Sequence, residues 1–110
     1  MKQYVVDELR PEDYRKVKAH LDDALPAGSI EGVYWVPISE HLLNPDQATH
    51  AACQPLCFAV DLEPDRLVCE LLLRTQNRMR CSCIGYATET QRNWVIQFID
   101  SIFEKLDIKT

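Results

Sequence analysis

The sequence predicts an α+β fold, a two-layer sandwich in which an antiparallel sheet of about four strands carries the N-terminal helix and a long C-terminal helix on one face. Three patterns support this prediction: an amphipathic helix near the start, alternating apolar residues between positions 56 and 86, and a long apolar stripe after position 88. The chain has 110 residues, the length of one ordinary domain. We therefore expect a single α+β domain over residues 1–110.

The first predicted helix covers residues 11–25. Pro11 suits the first turn of a helix, and Glu12 and Asp13 suit the positive end of its dipole. Apolar side chains then recur at helical spacing at Tyr14, Val17, Leu21 and Leu25. A Pro and a Gly directly after position 25 end the helix, and a short strand is predicted before it, over residues 4–6.

Residues 30–38 are predicted to form a strand because β-branched and aromatic residues are frequent there. Strand geometry places Tyr34 and Val36 on one face and Val33 and Trp35 on the other. Both faces of this strand are therefore apolar.

A short helix is predicted to follow. Asn44 is a favourable cap, Pro45 suits the first helical position, and Gln47 can reach back to the cap. This helix would extend to about Cys53, because Pro55 disfavours helical backbone at the residue before it.

Three strands are expected to form a meander over residues 56–86. Apolar and other residues alternate over 56–62 and 67–73, with a turn at 63–65, which predicts a hairpin. A second turn is predicted near 75–77, and residues 78–86 would supply the third strand.

Two cysteines lie in the predicted third strand. A turn centred on Gln76 would pair Leu71 with Cys81 and Cys69 with Cys83, so three thiols would be buried together. Free cysteine is among the most frequently buried residue types, and we therefore expect Cys81 and Cys83 to be small core residues.

The last helix has the strongest signal in the chain. Thr88 and Gln91 form a capping box, and a broad apolar stripe follows. The stripe consists of Val95, Phe98, Ile99, Ile102, Phe103 and Leu106. A helix of roughly 18 residues would be ~27 Å long and would cover much of a small sheet.

Composition narrows the class of protein. The net charge is −5 and no Lys or Arg occurs between Lys18 and Arg66, so we expect no nucleic-acid partner, which would require a basic surface. No apolar run approaches the ~20 residues that span a bilayer, and the N-terminal segment becomes acidic before a signal-length apolar run. We expect a cytoplasmic protein, no membrane partner, and reduced thiols at its five cysteines.

The second face of the predicted sheet is unusually apolar for a surface. A monomer seldom exposes so large a patch, so we expect a homodimer through this face, with a protein partner as a further possibility. The alternatives are that residues 39–55 cover the face or that the strand phases are wrong. The expected interface residues are Val33, Trp35, Val68, Leu72, Arg74 and Arg80.

The sharpest candidate site lies in the short predicted helix. Asp46, His50 and Cys53 fall at positions i, i+4 and i+7 and so share one helix face. A carboxylate, an imidazole and a thiol could activate a nucleophile or bind a metal, although a solvated face with an ion pair is the simpler interpretation. Trp35 and His41 adjoin this segment and complete the candidate ligand-binding set.

The cysteine spacing does not predict a zinc knuckle. Zinc ligands usually occur as Cys-x2-Cys pairs, whereas Pro55 interrupts the interval between Cys53 and Cys57, and Cys81 and Cys83 lie in a predicted strand. We therefore assign no catalytic residue, metal ligand or cofactor from the sequence, and the few glycines form no phosphate-binding pattern.

The function favoured by the sequence is a non-enzymatic protein-interaction or regulatory domain that self-associates through its sheet. One alternative is a small enzyme or ligand-binding protein with a site between Trp35 and residues 39–55. Another is a metal-binding protein that uses the His and Cys residues of 41–57.

Overall fold

The computed structural model describes residues 2–25, 30–75 and 81–109. In chain order the elements are β1 (Gln3–Val6), α1 (Pro11–Ala24), β2 (Val33–Pro37), a 3-10 turn (Glu40–Leu42), α2 (Pro45–Thr49), a second 3-10 turn (Ala51–Cys53), β3 (Leu56–Glu63), β4 (Arg66–Thr75), β5 (Gly85–Tyr86) and α3 (Glu89–Lys105). The predicted α+β class is confirmed. Within the described residues, no helix is both long and apolar enough to cross a membrane.

The sheet is antiparallel with the strand order β1-β4-β3-β2, and β5 pairs with β4 next to β1. The predicted β3–β4 hairpin is present, with a register shift between Phe58 and Val60. The strand predicted over 30–38 occupies Val33–Pro37 and pairs antiparallel with β3, so β2 is an edge of the sheet.

One face of the sheet and both longer helices share a single core. The strands contribute Val6, Tyr34, Val36, Leu56, Phe58, Val60, Leu62, Leu67, Cys69, Leu71 and Leu73 to this core. The helices contribute Val17, Leu21, Val95, Ile99, Ile102 and Phe103 to the same cluster. The alternation of apolar residues in β2, β3 and β4 therefore identified the buried face correctly.

Hydrogen bonds place the two helices on that same buried face. The hydroxyl of Tyr34 in β2 donates to Asp22 of α1 at 2.5 Å, and the hydroxyl of Tyr4 in β1 bonds Asp100 of α3. Helix α3 begins with the predicted capping box. The Thr88 hydroxyl accepts a hydrogen bond from the backbone N–H of Gln91 at 3.3 Å, and the Gln91 side-chain oxygen accepts one from the backbone N–H of Thr88 at 3.0 Å.

The opposite side of the sheet is not part of the core cluster, and we call it the open face. It carries Val5, Val33, Trp35, Ala59, Val68, Leu72 and Tyr86, all exposed or half-buried. Val5 and Tyr86 are 41% and 50% exposed, respectively.

The predicted third strand of the meander is present and pairs antiparallel with β4, but it is much shorter than the predicted 78–86. Strand β5 contains only Gly85–Tyr86, which pair with Leu73 and Leu72. On the side of β4 that the prediction gave to Cys83, Cys69 pairs instead with Tyr4 of β1. The predicted turn at 75–77 falls largely on residues 76–80, which lie outside the described residues.

Candidate metal centre

Two short segments bring four potential metal donors together, and the first follows α2. The Asn44 side-chain oxygen accepts a hydrogen bond from the backbone N–H of Gln47 at 2.8 Å. The Gln47 side-chain oxygen accepts one from the backbone N–H of Asn44 at 3.0 Å, so the predicted capping box is present. Helix α2 ends after Thr49, and a 3-10 turn follows in which the Cys53 amide donates to the His50 carbonyl at 3.0 Å. His50 and Cys53 therefore stand at the two ends of one tight turn.

The second segment lies between β4 and α3. Residues 81–84 form a turn closed by a 3.1 Å hydrogen bond from the Ile84 amide to the Cys81 carbonyl. Because these residues are not in a strand, their side chains do not alternate between the faces of the sheet. Cys81 is partly exposed and Cys83 is 2% exposed.

Together, His50, Cys53, Cys81 and Cys83 form what we call the four-donor cluster. The donor atoms all lie within 4.8 Å of one another. The Cys53 and Cys81 sulfurs are 3.6 Å apart, and the His50 Nδ1 is 3.0 Å from the Cys81 sulfur. Two sulfurs bound ~2.3 Å from one ion in a tetrahedral site would be about 3.8 Å apart, so the spacing suits a single tetrahedral ion.

The two thiols of the turn differ strongly in acidity. Hydrogen bonds from the backbone and the thiol of Cys83, with smaller contributions from Cys53 and His50, lower the pKa of Cys81 to about 6. Burial, followed by its hydrogen bond to Cys81, raises the pKa of Cys83 to about 12. The lowered pKa favours the thiolate at Cys81, and thiolate is the form of cysteine that binds metals.

The second ring nitrogen of His50 faces a carboxylate. Its Nε2 lies 3.7 Å from Oδ1 of Asp46, an i, i+4 ion-pair distance, while Nδ1 points to Cys81. Metal-binding histidines commonly direct their free nitrogen to a carboxylate, which orients the ring and raises the basicity of the ligand. Asp46 is positioned for that supporting role.

A buried pair of glutamines joins the two segments. Gln47 donates to the Cys83 carbonyl at 3.2 Å, and Gln91 donates to the Gln47 side-chain oxygen at 2.9 Å and to the Leu42 carbonyl at 2.8 Å. The two glutamines are 2% and 1% exposed. Each is also the third residue of its helix and completes that helix's capping box. The starts of α2 and α3 are thereby tied to each other and to the turn that carries Cys83.

A cavity of about 370 Å³ opens beside the cluster. Its lining residues are Thr49, His50, Ala51, Ala52, Cys53 and Cys81. Three of the four donors therefore border space that a small molecule can enter, whereas Cys83 does not line it.

The structure brings together some of the residues that the sequence singled out and separates others. Asp46, His50 and Cys53 do lie on one side of their segment. His41 is exposed in the Glu40–Leu42 turn, and Trp35 lies on the open face opposite Ala59; neither is a member of the four-donor cluster.

Cys81 and Cys83 were missed as candidate ligands because a strand was predicted through them. The available signal was the presence of two close donor pairs, His50-x2-Cys53 and Cys81-x-Cys83, on either side of the hairpin. Neither pair is persuasive alone, and only their proximity in space makes a site.

The residues predicted at an interface have the following positions. Val33, Trp35, Val68 and Leu72 lie on the open face, as the strand phases require. Arg74 forms an ion pair with Glu70 at 2.9 Å. Arg80 lies outside the described residues.

Comparison of the chain with protein-family models, curated proteins and solved structures finds no match.

Proposed function

We propose that this protein is a zinc-binding domain in which one Zn²⁺ is held by His50, Cys53, Cys81 and Cys83. The observation that supports the proposal is the convergence of four donor atoms within 4.8 Å from segments on either side of the β3–β4 hairpin. The two turns that carry these donors are far apart in the sequence, so the fold itself brings the four donor atoms together.

The identity of the donors favours zinc over other metals. Three thiolates and one imidazole are a common ligand set for structural zinc, while calcium and magnesium prefer oxygen donors. A multi-iron cluster is disfavoured because the four donors are close enough to share a single ion.

The proposed zinc has a structural role. Four protein donors fill a tetrahedral shell, whereas catalytic zinc sites keep one position for water or substrate. The ion would link the end of α2 to the turn before α3, next to the hydrogen bond between Gln47 and Cys83. It would therefore stabilise the contact between α2 and the turn that precedes β5, the shortest strand of the sheet.

The proposal is tested by metal analysis of protein purified without chelators. We expect one zinc per chain, and replacement by Co²⁺ should give the visible absorption of a tetrahedral thiolate site. Cys83→Ser and His50→Ala should lose most of the metal. Cys69→Ala and His41→Ala are the matched controls, and both should retain it, because neither residue belongs to the cluster.

Two results would overturn the zinc proposal: wild-type protein that binds neither zinc nor cobalt, or a Cys83→Ser variant that binds cobalt with an unchanged spectrum. Far-UV circular dichroism of each variant separates loss of a ligand from loss of the fold.

We further propose a cytoplasmic location. The five cysteines are free thiols, and thiolate ligands persist in a reducing compartment, where disulfides are rare.

A second candidate function is self-association through the open face. The register aligns Val33, Asp61, Val68 and Val5 in one row across four strands on the side away from the core, so three of the four side chains in this row are apolar. An isologous dimer would bury this row.

Analytical ultracentrifugation at micromolar concentration tests the dimer. We expect a wild-type dimer that becomes a monomer in Trp35→Ala or Leu72→Glu, with Ile30→Ala as the control for an exposed apolar residue outside the face. A monomeric wild-type protein would remove this candidate and leave the zinc proposal unaffected.

A further inference from the structure

We propose that the zinc site is redox-sensitive: a hydroperoxide joins Cys53 and Cys81 in a disulfide, and the loss of these two donors releases the metal. This inference rests on the proposed zinc site and adds a mode of regulation to it. The reasons are the short distance between the two sulfurs, the cavity that both residues line, and the turns that carry them.

The two sulfurs are already near bonding distance. They are 3.6 Å apart, and a disulfide requires about 2.05 Å, so they must approach each other by roughly 1.5 Å. Cys53 is the last residue of a 3-10 turn and Cys81 is in the turn before β5. Neither residue is held in a sheet ladder or in the middle of a long helix, so the approach does not break regular secondary structure.

A position at the cavity wall distinguishes Cys53 and Cys81 from the other thiols, although Cys53 is only 3% exposed. Cys53 and Cys81 both line the cavity of about 370 Å³. The small side chains of Ala51 and Ala52 line it as well. Cys69 and Cys83 do not line it and are 0% and 2% exposed. A small peroxide can therefore reach Cys81, the more exposed sulfur of the pair, without unfolding of the domain, while Cys53 lies behind it as the second thiol.

The reaction balances with one hydroperoxide, ROOH. The Cys81 thiolate attacks the terminal peroxide oxygen, the O–O bond breaks, and Cys81 becomes a sulfenic acid while an alkoxide leaves and takes up a proton to give ROH. The Cys53 thiolate then attacks the Cys81 sulfur, the S–S bond forms, and hydroxide leaves and takes up a proton to give water. Two electrons pass from the two sulfurs to the peroxide, which is reduced.

The consequence for the metal follows from the count of donors. A disulfide sulfur is a poor zinc ligand because it carries no negative charge, so only His50 and Cys83 would remain. Two donors do not complete the four-coordinate shell that structural zinc requires. A dithiol reductant regenerates both thiolates and restores the site.

The test uses the zinc-loaded full-length chain, with its zinc content measured before any oxidant is added. Treatment with one equivalent of hydrogen peroxide should release most of the bound zinc, followed with a chromogenic chelator. Alkylation and peptide mass spectrometry should then find a Cys53–Cys81 disulfide. Dithiothreitol plus zinc should restore the original content, and Cys69→Ala should behave as the wild type does.

The possible outcomes are distinguishable. Retention of zinc in protein that was loaded and exposed to peroxide overturns the redox inference and leaves the zinc proposal intact. Release accompanied by a Cys81–Cys83 disulfide, or by sulfinic acid without a disulfide, overturns the assigned pairing. A chain that holds no zinc before peroxide overturns the proposed function, and the redox inference with it.

Discussion

At the scale of single residues, position in the turn gives two cysteines opposite chemistry. Cys81 and Cys83 are separated by one residue, but Cys81 accepts hydrogen bonds at the edge of a cavity while Cys83 is buried beneath it. Acceptance of hydrogen bonds stabilises the thiolate, and desolvation destabilises it. The same amino acid therefore supplies a thiolate at one position and a neutral thiol at the other in the metal-free protein.

The acidity of Cys81 predicts a pH dependence of stability for the metal-free protein. Its pKa falls from 9.0 to about 6 on folding, so its contribution to the free energy of unfolding is present above pH 9 and is lost as pH falls towards 6. The raised pKa of Cys83 acts only above pH 9, because its contribution is complete below the unfolded value. We expect metal-free protein to become more stable from pH 6 to pH 9.

Urea denaturation of metal-free protein across that pH window measures the effect. Cys81→Ser should flatten the rise in unfolding free energy, while Cys69→Ala should keep it. An equally steep rise in the Cys81→Ser variant would show that another group is responsible.

Asp46 gives a second prediction at this scale. Asp46→Asn should weaken zinc binding about tenfold, at the low end of the range for groups that support a ligand, because Asp46 is exposed and lies 3.7 Å from His50. Asp23→Asn makes the same change of charge at an exposed position on α1 and should leave the affinity unchanged. Competition with a chelator of known affinity provides the measurement, and equal effects of the two substitutions would exclude a specific role for Asp46.

At the scale of secondary-structure elements, the capping boxes do more than begin two helices. Gln47 and Gln91 each satisfy the cap of their own helix, and they meet in the interior, where Gln47 also binds the Cys83 carbonyl. Buried polar groups are tolerated when they are hydrogen-bonded. The side-chain oxygen and nitrogen of both glutamines each have a hydrogen-bond partner. The elements α2 and α3 and the turn before β5 are thus held in one arrangement by side-chain amides.

Removal of the Gln91 side-chain amide should lower the free energy of unfolding, because its hydrogen-bond partners lose a donor. Gln91→Ala removes the side-chain donor to the Leu42 carbonyl and one of the two donors to the Gln47 side-chain oxygen, and we expect a loss of about 1–3 kcal/mol in the free energy of unfolding. Gln97→Ala is the control, since it makes the same change at an exposed position of the same helix. Chemical denaturation of the two variants should separate them clearly; similar midpoints would argue against the buried network.

At the scale of the whole molecule, the size of the core leads us to expect that the fold persists without the metal. The buried cluster includes residues of β1, β2, β3, β4, α1 and α3, and most of its members lie away from the four donors. Zinc bound to the folded state adds stability by mass action, about 2.7 kcal/mol when free zinc is 100 times the dissociation constant. This situation differs from that of zinc fingers, which have little core and unfold when the metal is removed.

We therefore expect chelation to lower the melting temperature while the far-UV circular dichroism at 25 °C is preserved. Addition of zinc should restore the melting temperature, whereas magnesium should not. Loss of helix and strand signal on chelation would mean that the core depends on the metal, contrary to this prediction.

The local parts of the fold were predictable because their causes are local. The capping boxes at Asn44 and Thr88 and the face that each strand buries follow from residues a few positions apart. The turn of residues 81–84 was not predicted, since Cys81 and Cys83 also fit the alternation of a strand. Strand β1 pairs with the edge of β4 that the predicted strand would have used, and residues close to Cys81 and Cys83 in the sequence do not indicate this pairing.

The sequence by itself determined the α+β class, the positions of the two longer helices, the hairpin and the shared side of Asp46, His50 and Cys53. The predicted end of the short helix near Cys53 is wrong, because α2 ends at Thr49 and a separate 3-10 turn carries Cys53. Only the tertiary structure decided that Cys81 and Cys83 complete a site with His50 and Cys53. The physical reason is distance along the chain: helix periods and strand alternation act over a few residues, whereas the four-donor cluster exists because the β3–β4 hairpin returns the chain to the end of α2. Whether a cysteine lies among core residues or beside other potential metal donors therefore depends on the neighbours that the fold brings to it.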